Sequence, residues 1–263
     1  MVNLIQGDCL EVMDKLIADG IKVDAIICDP PYGTTACKWD SVIPFDEMWL
    51  RLNKLIKPNG AIVLFGSEPF SSALRMSNIK NYKYDWVWDK VLSVGHLVSK
   101  YRPLQRTETI SVFSHGACSF TKSGNKMSYT PVMEKRDKKR RHVVSISKSE
   151  LVNNHTMNKD YKRADYEYRF PTNVLNFSNA NRKGKKHPTQ KPVALMEYLI
   201  KTYTNENELV LDFTCGSGTT GVACKNLNRN FIGIEFVRTY LNIANRRIRG
   251  ISLHNKIKTK ESK

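Results

Sequence analysis

An apolar run ending on an acid, ELVLDF at residues 208–213, passes through Thr214 into Cys215-Gly216-Ser217-Gly218-Thr219-Thr220-Gly221, a Gly-x-Gly-x-x-Gly turn that opens a helix near Thr219. A second such run, NFIGIEF at residues 230–236, follows and carries Glu235 near its end. This order constrains the fold more than any other feature of the chain. At the carboxyl edge of a parallel sheet, glycines let a ligand approach the backbone, the helix amino terminus favours an anionic group, and an acid at the end of the next strand suits ribose hydroxyls. The turn implies a nucleoside-containing cofactor. By itself it does not separate a nicotinamide from S-adenosylmethionine, or either from a tight turn without a ligand.

The rest of the chain supports a doubly wound α/β sheet. Residues 2–8 read as a strand, and Leu10, Met13, Leu16 and Ile17 then fall at helical spacing. DAIICD at residues 24–29 is a continuous apolar run, as in a strand buried on both faces. A helix is expected over residues 46–56 with Lys57-Pro58-Asn59-Gly60 as its stop, then a strand at 61–66, a short helix near 69–77 and strands at 84–90 and 108–114, the last after the basic loop GHLVSKYRPLQR. Trp86 and Trp88 are expected in the core. Alternation fails between about 116 and 186, then resumes with a helix at 193–203 and continues to about 249. The expected organisation is a first half at 1–115, a basic insertion at 116–186, a second half at 187–250 and a disordered tail at 251–263.

The net charge is +17, and the stretch from Cys118 to His187 holds 17 Lys and Arg against 6 Asp and Glu, so +11 of the excess is concentrated there. Such a segment attracts a polyanion, and nucleic acid is the commonest. With 41% hydrophobic residues the chain can bury a full core, which excludes intrinsic disorder. The six cysteines form no CxxC pair and no zinc-like spacing with histidine, so no metal is expected. The amino terminus lacks a basic stretch followed by an apolar run, and no apolar segment approaches the roughly 18 residues of a membrane span. A soluble cytoplasmic protein without membrane contact is the expectation.

The deciding motif is Asp29-Pro30-Pro31-Tyr32, at the carboxyl end of a buried strand. Here the chain resembles the amino-group DNA methyltransferases, whose D-P-P-Y tetrapeptide holds the target base beside S-adenosylmethionine. Gly7-Asp8-Cys9-Leu10 is similar to the family's cofactor-adenine segment, and His187-Pro188-Thr189-Gln190-Lys191-Pro192 to the segment before its Gly-rich strand. With D-P-P-Y first, the basic segment in the middle and the Gly-rich loop last, the order resembles the beta class. One departure is plain: where the family reads D-P-F-x-G-S-G, this chain has Asp212-Phe213-Thr214-Cys215-Gly216-Ser217-Gly218.

The resemblance implies a target amino nitrogen, adenine N6, held by the Asp29 carboxylate and the Pro30 carbonyl, with Pro31 stiffening the backbone and Tyr32 stacking on a flipped base. It implies Asp8 and Cys9 at the cofactor adenine, Glu235 at the ribose, Lys191 with Thr219 at the methionine carboxylate, and Asp212, Gly216 and Gly218 in the cofactor loop. Lys100, Arg102 and Arg106 in the basic loop, and Lys138, Lys139, Arg140 and Arg141 in the charge run, are candidate DNA-backbone contacts. A homodimer and a companion restriction endonuclease are further expectations of the resemblance. A ring-carbon cytosine methylase would need a Pro-Cys pair, and no cysteine here follows a proline. Methylation of cytosine N4 is the nearest alternative, since the same geometry serves either base; Asp29 favours adenine, because Ser often stands there in the family's cytosine enzymes. A non-catalytic nucleic-acid-binding protein would keep the basic segment without needing both motifs, and a nicotinamide oxidoreductase would leave D-P-P-Y idle.

Overall fold

The computed structural model describes residues 1–34, 40–119, 124–136, 167–179 and 190–251. The elements, in chain order, are β1 (Val2–Gln6), α1 (Cys9–Ala18), β2 (Val23–Cys28), α2 (Phe45–Leu55), β3 (Ile56–Gly66), α3 (Phe70–Ser77), β4 (Tyr82–Val94), β5 (Gln105–Phe113), β6 (Glu134–Lys135), β7 (Tyr168–Arg169), β8 (Val174–Asn176), α4 (Val193–Tyr203), β9 (Leu209–Asp212), α5 (Thr219–Asn226), β10 (Asn230–Glu235) and α6 (Arg238–Arg249). Eight strands form one sheet in the order β1-β10-β9-β2-β3-β5-β4-β8. The run from β1 to β3 is parallel, and β5 is antiparallel to both β3 and β4.

β2 lies in the middle because both of its faces are apolar. Ala25 and Ile27 join Leu195, Leu199, Ile200 and Ala223 in one core, while Ile26 and Cys28 join Met13, Leu16, Leu52 and Leu74 in the other. Helices α1, α2 and α3 therefore cover one face, and α4, α5 and α6 the other. Each fully buried aliphatic side chain contributes about 1.5–3 kcal/mol against conformational entropy. Trp86 and Trp88 are buried, as their alternation in a strand predicts.

The first and last parts of the chain share this sheet. β1 pairs with β10 in the register Val2↔Phe231 to Gln6↔Glu235, and the Met1 carbonyl accepts the Phe231 N–H at 2.9 Å. The chain order thereby places the carboxyl ends of β1, β2, β9 and β10 on one edge.

The structure differs from two expectations. Residues 57–60 do not separate a helix from a strand: β3 already begins at Ile56, opposite Val23, and the extra residues bulge out before Ala61 pairs with Ala25. The basic segment is not a uniform insertion over 116–186. Its described flanks, 116–119, 124–130 and 173–179, belong to the main unit, while 131–136 and 167–172 belong to a separate unit. In the flanks Met127 is buried, Ser128 N–H donates to the Asn59 carbonyl at 2.8 Å, and β8 lies beside β4 with Leu175 buried. Single apolar residues inside a polar stretch perform this packing, so periodicity does not reveal it. Within the separate unit, β6 and β7 pair antiparallel and Arg169 bridges Glu134 at 2.8 Å. The expected tail lies outside the described residues except for Ile251.

Candidate active site

Pro30 and Pro31 end β2, because neither has an N–H to continue the ladder. Asp29 thus sits at the carboxyl edge with its side chain turned into a buried charge network. Lys191 Nζ lies 2.9 Å from Asp29 Oδ2 and 2.8 Å from Glu108 Oε1, and Lys90 Nζ lies 3.1 Å from Glu108 Oε2. The Tyr32 hydroxyl donates to Asp29 Oδ1 and, at 3.1 Å, is also within reach of Glu108 Oε1. The Lys191 ammonium also lies over the rings of Phe65, Tyr32 and Trp88, 5.0–5.8 Å from their centroids.

Burial pushes the Asp29 carboxyl above its ordinary range; the Lys191 charge opposes this and the Glu108 charge adds to it. For Glu108, burial acts upward too, but Lys191 and Lys90 outweigh it and hold the group below its ordinary value. Burial disfavours the charged form of Lys191, yet the two carboxylates hold its pKa above the usual lysine range. The cluster carries both signs in a site largely closed to water.

On the neighbouring strand, β9 ends on Asp212. Its Oδ2 accepts from Thr220 Oγ1 at 2.5 Å and its Oδ1 from Thr214 N–H at 3.2 Å, which fixes the turn from inside, and burial raises its pKa to about 6. Gly216 and Gly218 have φ of +52° and +76°, in the left-handed region that favours glycine. At Gly218 a Cβ would also stand 2.7 Å from Ala244 Cβ, so the turn and α6 approach too closely for any side chain. Glu235 Oε2 accepts from Gly216 N–H at 2.9 Å and Oε1 from Val237 N–H at 2.8 Å. Arg247, on α6, donates to the Ser217 carbonyl at 2.6 Å and braces the turn from behind.

The two motifs are joined directly. Thr214 Oγ1 donates to the Asp29 carbonyl at 3.1 Å and lies 2.9 Å from Cys28 Sγ. A hydroxyl therefore stands where the resembled family has an aromatic ring, and it links the Gly-rich turn to the D-P-P-Y backbone.

A cavity of about 600 Å³ opens between them, a volume suited to a small molecule. Asp8, Cys9, Asp29, Pro30, Pro31, Tyr32, Lys191, Asp212, Gly216, Thr219 and Glu235 all line it. Asp8 also caps α1, accepting the Leu10 N–H at 2.9 Å. Gly218 stands behind the turn. Lys191, expected at the methionine carboxylate, lines the cavity with its ammonium paired to Asp29 and Glu108, 2.9 and 2.8 Å away. Arg106, expected as a DNA-backbone contact, is also paired. It lies in β5, with Nε 2.7 Å from Asp89 Oδ1 and Nη2 2.8 Å from Oδ2, so a carboxylate on the adjacent strand already occupies its fork. Lys100 and Arg102 are exposed, and Lys138, Lys139, Arg140 and Arg141 lie outside the described residues.

Sequence reasoning missed Lys90, Glu108, Thr214 and Phe236. Phe236 follows Glu235, lines the cavity and is 67% exposed, a ring face open to a planar ligand. Its position one residue beyond the strand acid was the available signal. Glu108 gave none, since an acid in a strand gains meaning only from its neighbours in space. Among the described residues no cluster of His, Cys, Asp and Glu could hold a metal, and no helix is long and apolar enough to cross a membrane.

A doubly wound sheet with a glycine turn, an acid at the end of the next strand and a separate carboxylate site on the same edge is an arrangement that suits a nucleoside-containing cofactor. The DNA methylase family model (N6_N4_Mtase) matches residues 23–246, and the chain belongs to that family. It is 29% identical to the Type II methyltransferase M2.LlaDCHI of Lactococcus lactis subsp. cremoris, over 93% of this chain and 88% of the relative. With M1.MboII of Moraxella bovis it shares 30% identity, over 91% of this chain and 94% of the relative. The M1.HpyAVI–SAM complex superposes with a TM-score of 0.61 at 30% identity, covering 94% of this chain and 100% of that one. The PvuII DNA methyltransferase, described as cytosine-N4-specific, shares the fold at 17% identity with a TM-score of 0.63, covering 97% of this chain and 88% of that one. The protein is a DNA methyltransferase, and S-adenosylmethionine is its methyl donor.

Proposed function

We propose that the enzyme methylates the exocyclic N6 of adenine in a specific DNA sequence, acting on a base turned out of the duplex. The observation that carries this reading is Asp29, a partly buried carboxylate at the cavity edge followed directly by Pro30. An exocyclic amino nitrogen is a poor nucleophile because its lone pair is delocalised into the ring. Two acceptors, Asp29 Oδ and the Pro30 carbonyl, would take its two hydrogens and hold the nitrogen toward tetrahedral geometry. The donor supplies a methyl already activated on a sulfonium. Asp8, Phe236, Glu235, Gly216 and Thr219 are the residues that would hold it, and the cradle at Gly216 with its open approach fits that group.

Lys191 has a different part in this scheme. Its charge favours the ionised Asp29 that can accept hydrogen bonds, while Glu108 and Lys90 hold Lys191 in place. Tyr32 gives up its hydrogen bond to Asp29 when the amino group arrives and offers its ring as a stacking face. The burial-raised pKa of Asp29 also suits it to receive the proton released as the new N–C bond forms. Exposed Lys100 and Arg102 serve as backbone contacts.

The test is to incubate the purified protein with labelled S-adenosylmethionine and unmodified duplex DNA, digest the product and identify the nucleoside by mass spectrometry. N6-methyladenosine in its deoxy form is expected. Label found only as N4-methylcytosine would overturn the choice of base, and sequencing of the modified positions gives the recognised site.

A further inference from the structure

The hairpin between β4 and β5 extends beyond the sheet at the rim of the cavity. Lys90 and Gln105 line the cavity on its two strands, and the Asp89–Arg106 pair clamps its base. Past that clamp the ladder shifts register, so that Asp89 faces Thr107 but Val94 faces Gln105. The shift falls at Val91, whose φ is +66° and whose N–H donates to Asp89 Oδ1 at 2.7 Å. A bulge of this kind redirects a strand, and bulges recur beside active sites. The connection then turns at Gly95, with φ +95°, into a short 3-10 turn, His96–Val98, that closes on itself through Ser99 N–H to the His96 carbonyl and Tyr101 N–H to the Val98 carbonyl.

The tip of this ordered turn is apolar. Leu97 is 100% exposed and Tyr101 88% exposed, and among the described residues no large apolar side chain is more exposed than Leu97. Burying neither inside the protein leaves a cost that a partner must repay. The surrounding charge indicates the partner: Lys100 and Arg102 are interleaved with these side chains, and no acidic residue occurs between Asp89 and Glu108. Apolar side chains flanked by cations suit a stack of bases bordered by phosphates.

We infer that Leu97 and Tyr101 form a wedge that enters the duplex beside the cavity and occupies the space left when the target base turns out. This rests on the proposed action on a flipped base and names the residues that make the flip persist. Removing a base leaves a gap of about 3.4 Å per step in the stack, which a leucine side chain or an edge-inserted tyrosine ring can fill. Lys100 and Arg102 would hold the flanking phosphates while Lys90, on the same hairpin, faces the cavity.

The test compares two duplex oligonucleotides carrying the site found by sequencing modified DNA, one fully paired and one with the target base mispaired, so that its opening is already prepaid. The variants are L97A, Y101A and the double substitution; both positions are exposed, so folding and S-adenosylmethionine binding should match the parent protein. For the double variant, kcat/KM on the paired duplex should fall about tenfold or more, in line with the value of base stacking contacts, while on the mispaired duplex it should change less than twofold. Leu97→Met with Tyr101→Phe should restore most of the loss. Equal losses on both duplexes would make the tip a docking contact and overturn the wedge, as would no loss on either. A change in molecular mass by light scattering would mean that a second copy covers the tip, and would also overturn it. A parent enzyme that methylates neither duplex would instead refute the underlying reading of base and site.

Discussion

Replacing Lys191 with Met should move the pH dependence of methyl transfer, and the size of the shift follows from the network. Nζ lies 2.9 Å from Asp29 Oδ2 in a site where the Lys191 side chain is 9% exposed and that of Asp29 20%. With an effective dielectric constant of about 20, the attraction at that distance is about 6 kcal/mol, equivalent to about 4 pKa units on the carboxyl. This is an upper bound, because water entering the vacated space would screen part of it. Asp29 already stands above its ordinary value through burial, and K191M removes its own cation while leaving it beside the Glu108 carboxylate, to which Lys90 stays paired. The sign is fixed: a raised carboxyl pKa means that the ionised, hydrogen-bond-accepting form is lost as pH falls through that value. The acidic limb of kcat, measured under single-turnover conditions with both substrates saturating, should therefore move up by two units or more in K191M. Glu108→Gln should move it down, since Lys191 then faces Asp29 alone. A K191M limb that coincides with the parent one, accompanied by a raised KM for S-adenosylmethionine and an unchanged kcat, would refute this reasoning and return Lys191 to the methionine carboxylate.

Asp29→Ala should lower transfer on the order of 10³-fold while calorimetry still detects S-adenosylmethionine binding. Gly218→Ala forces a left-handed alanine against Ala244 and should cost about 3 kcal/mol, read as a lower midpoint in urea unfolding. Thr214→Val removes the hydroxyl bond to the Asp29 carbonyl and should reduce kcat roughly fivefold to tenfold, with little effect on cofactor affinity; Thr214→Ser should retain activity.

The strands that build the cofactor edge were legible because they are short apolar runs that end on acids or glycines: residues 24–29 and 208–213 could form little else. The same holds for α4, whose Leu195, Met196, Leu199 and Ile200 fall on one buried face. The site was legible where a motif is local, as in Asp29 to Tyr32 and Gly216 to Gly221. It was not legible where the chemistry depends on distant residues. Glu108 matters because Lys90, Lys191 and Tyr32 converge on it from other elements, and the pairing of Arg106 with Asp89 across the hairpin is likewise invisible in the sequence. Boundaries failed for a related reason. Met127 and Leu175 are isolated apolar residues in polar surroundings, and only the packed sheet shows that the main unit reaches Thr130 and restarts at Asn173.

The division of the site between the chain's two ends gives a last prediction. β1 lies beside β10, Met1 is tied to Asn230 and Phe231 at the amino edge of the sheet, and α6 follows β10 with contacts to β1. A helix that follows a parallel strand and packs back along the sheet ends near the edge where that strand began, so the end of α6 and Met1 share an edge. Residues 252–263, even without an added linker, can span up to about 40 Å when extended. Joining Lys263 to Met1 should therefore cost little. New termini belong between residues 180 and 186, past Asn179, whose N–H donates to the Lys90 carbonyl at 3.3 Å and which lines the cavity. The permutant would read cofactor loop first and D-P-P-Y second, with every strand still beside its present neighbours. It should fold by circular dichroism, bind S-adenosylmethionine with unchanged affinity and methylate DNA. A permutant that folds and binds DNA but has lost S-adenosylmethionine binding would mean that the edges of β1, β2, β9 and β10 do not make one site, and that continuity of the chain through Met1, rather than the sheet, holds the two motifs together.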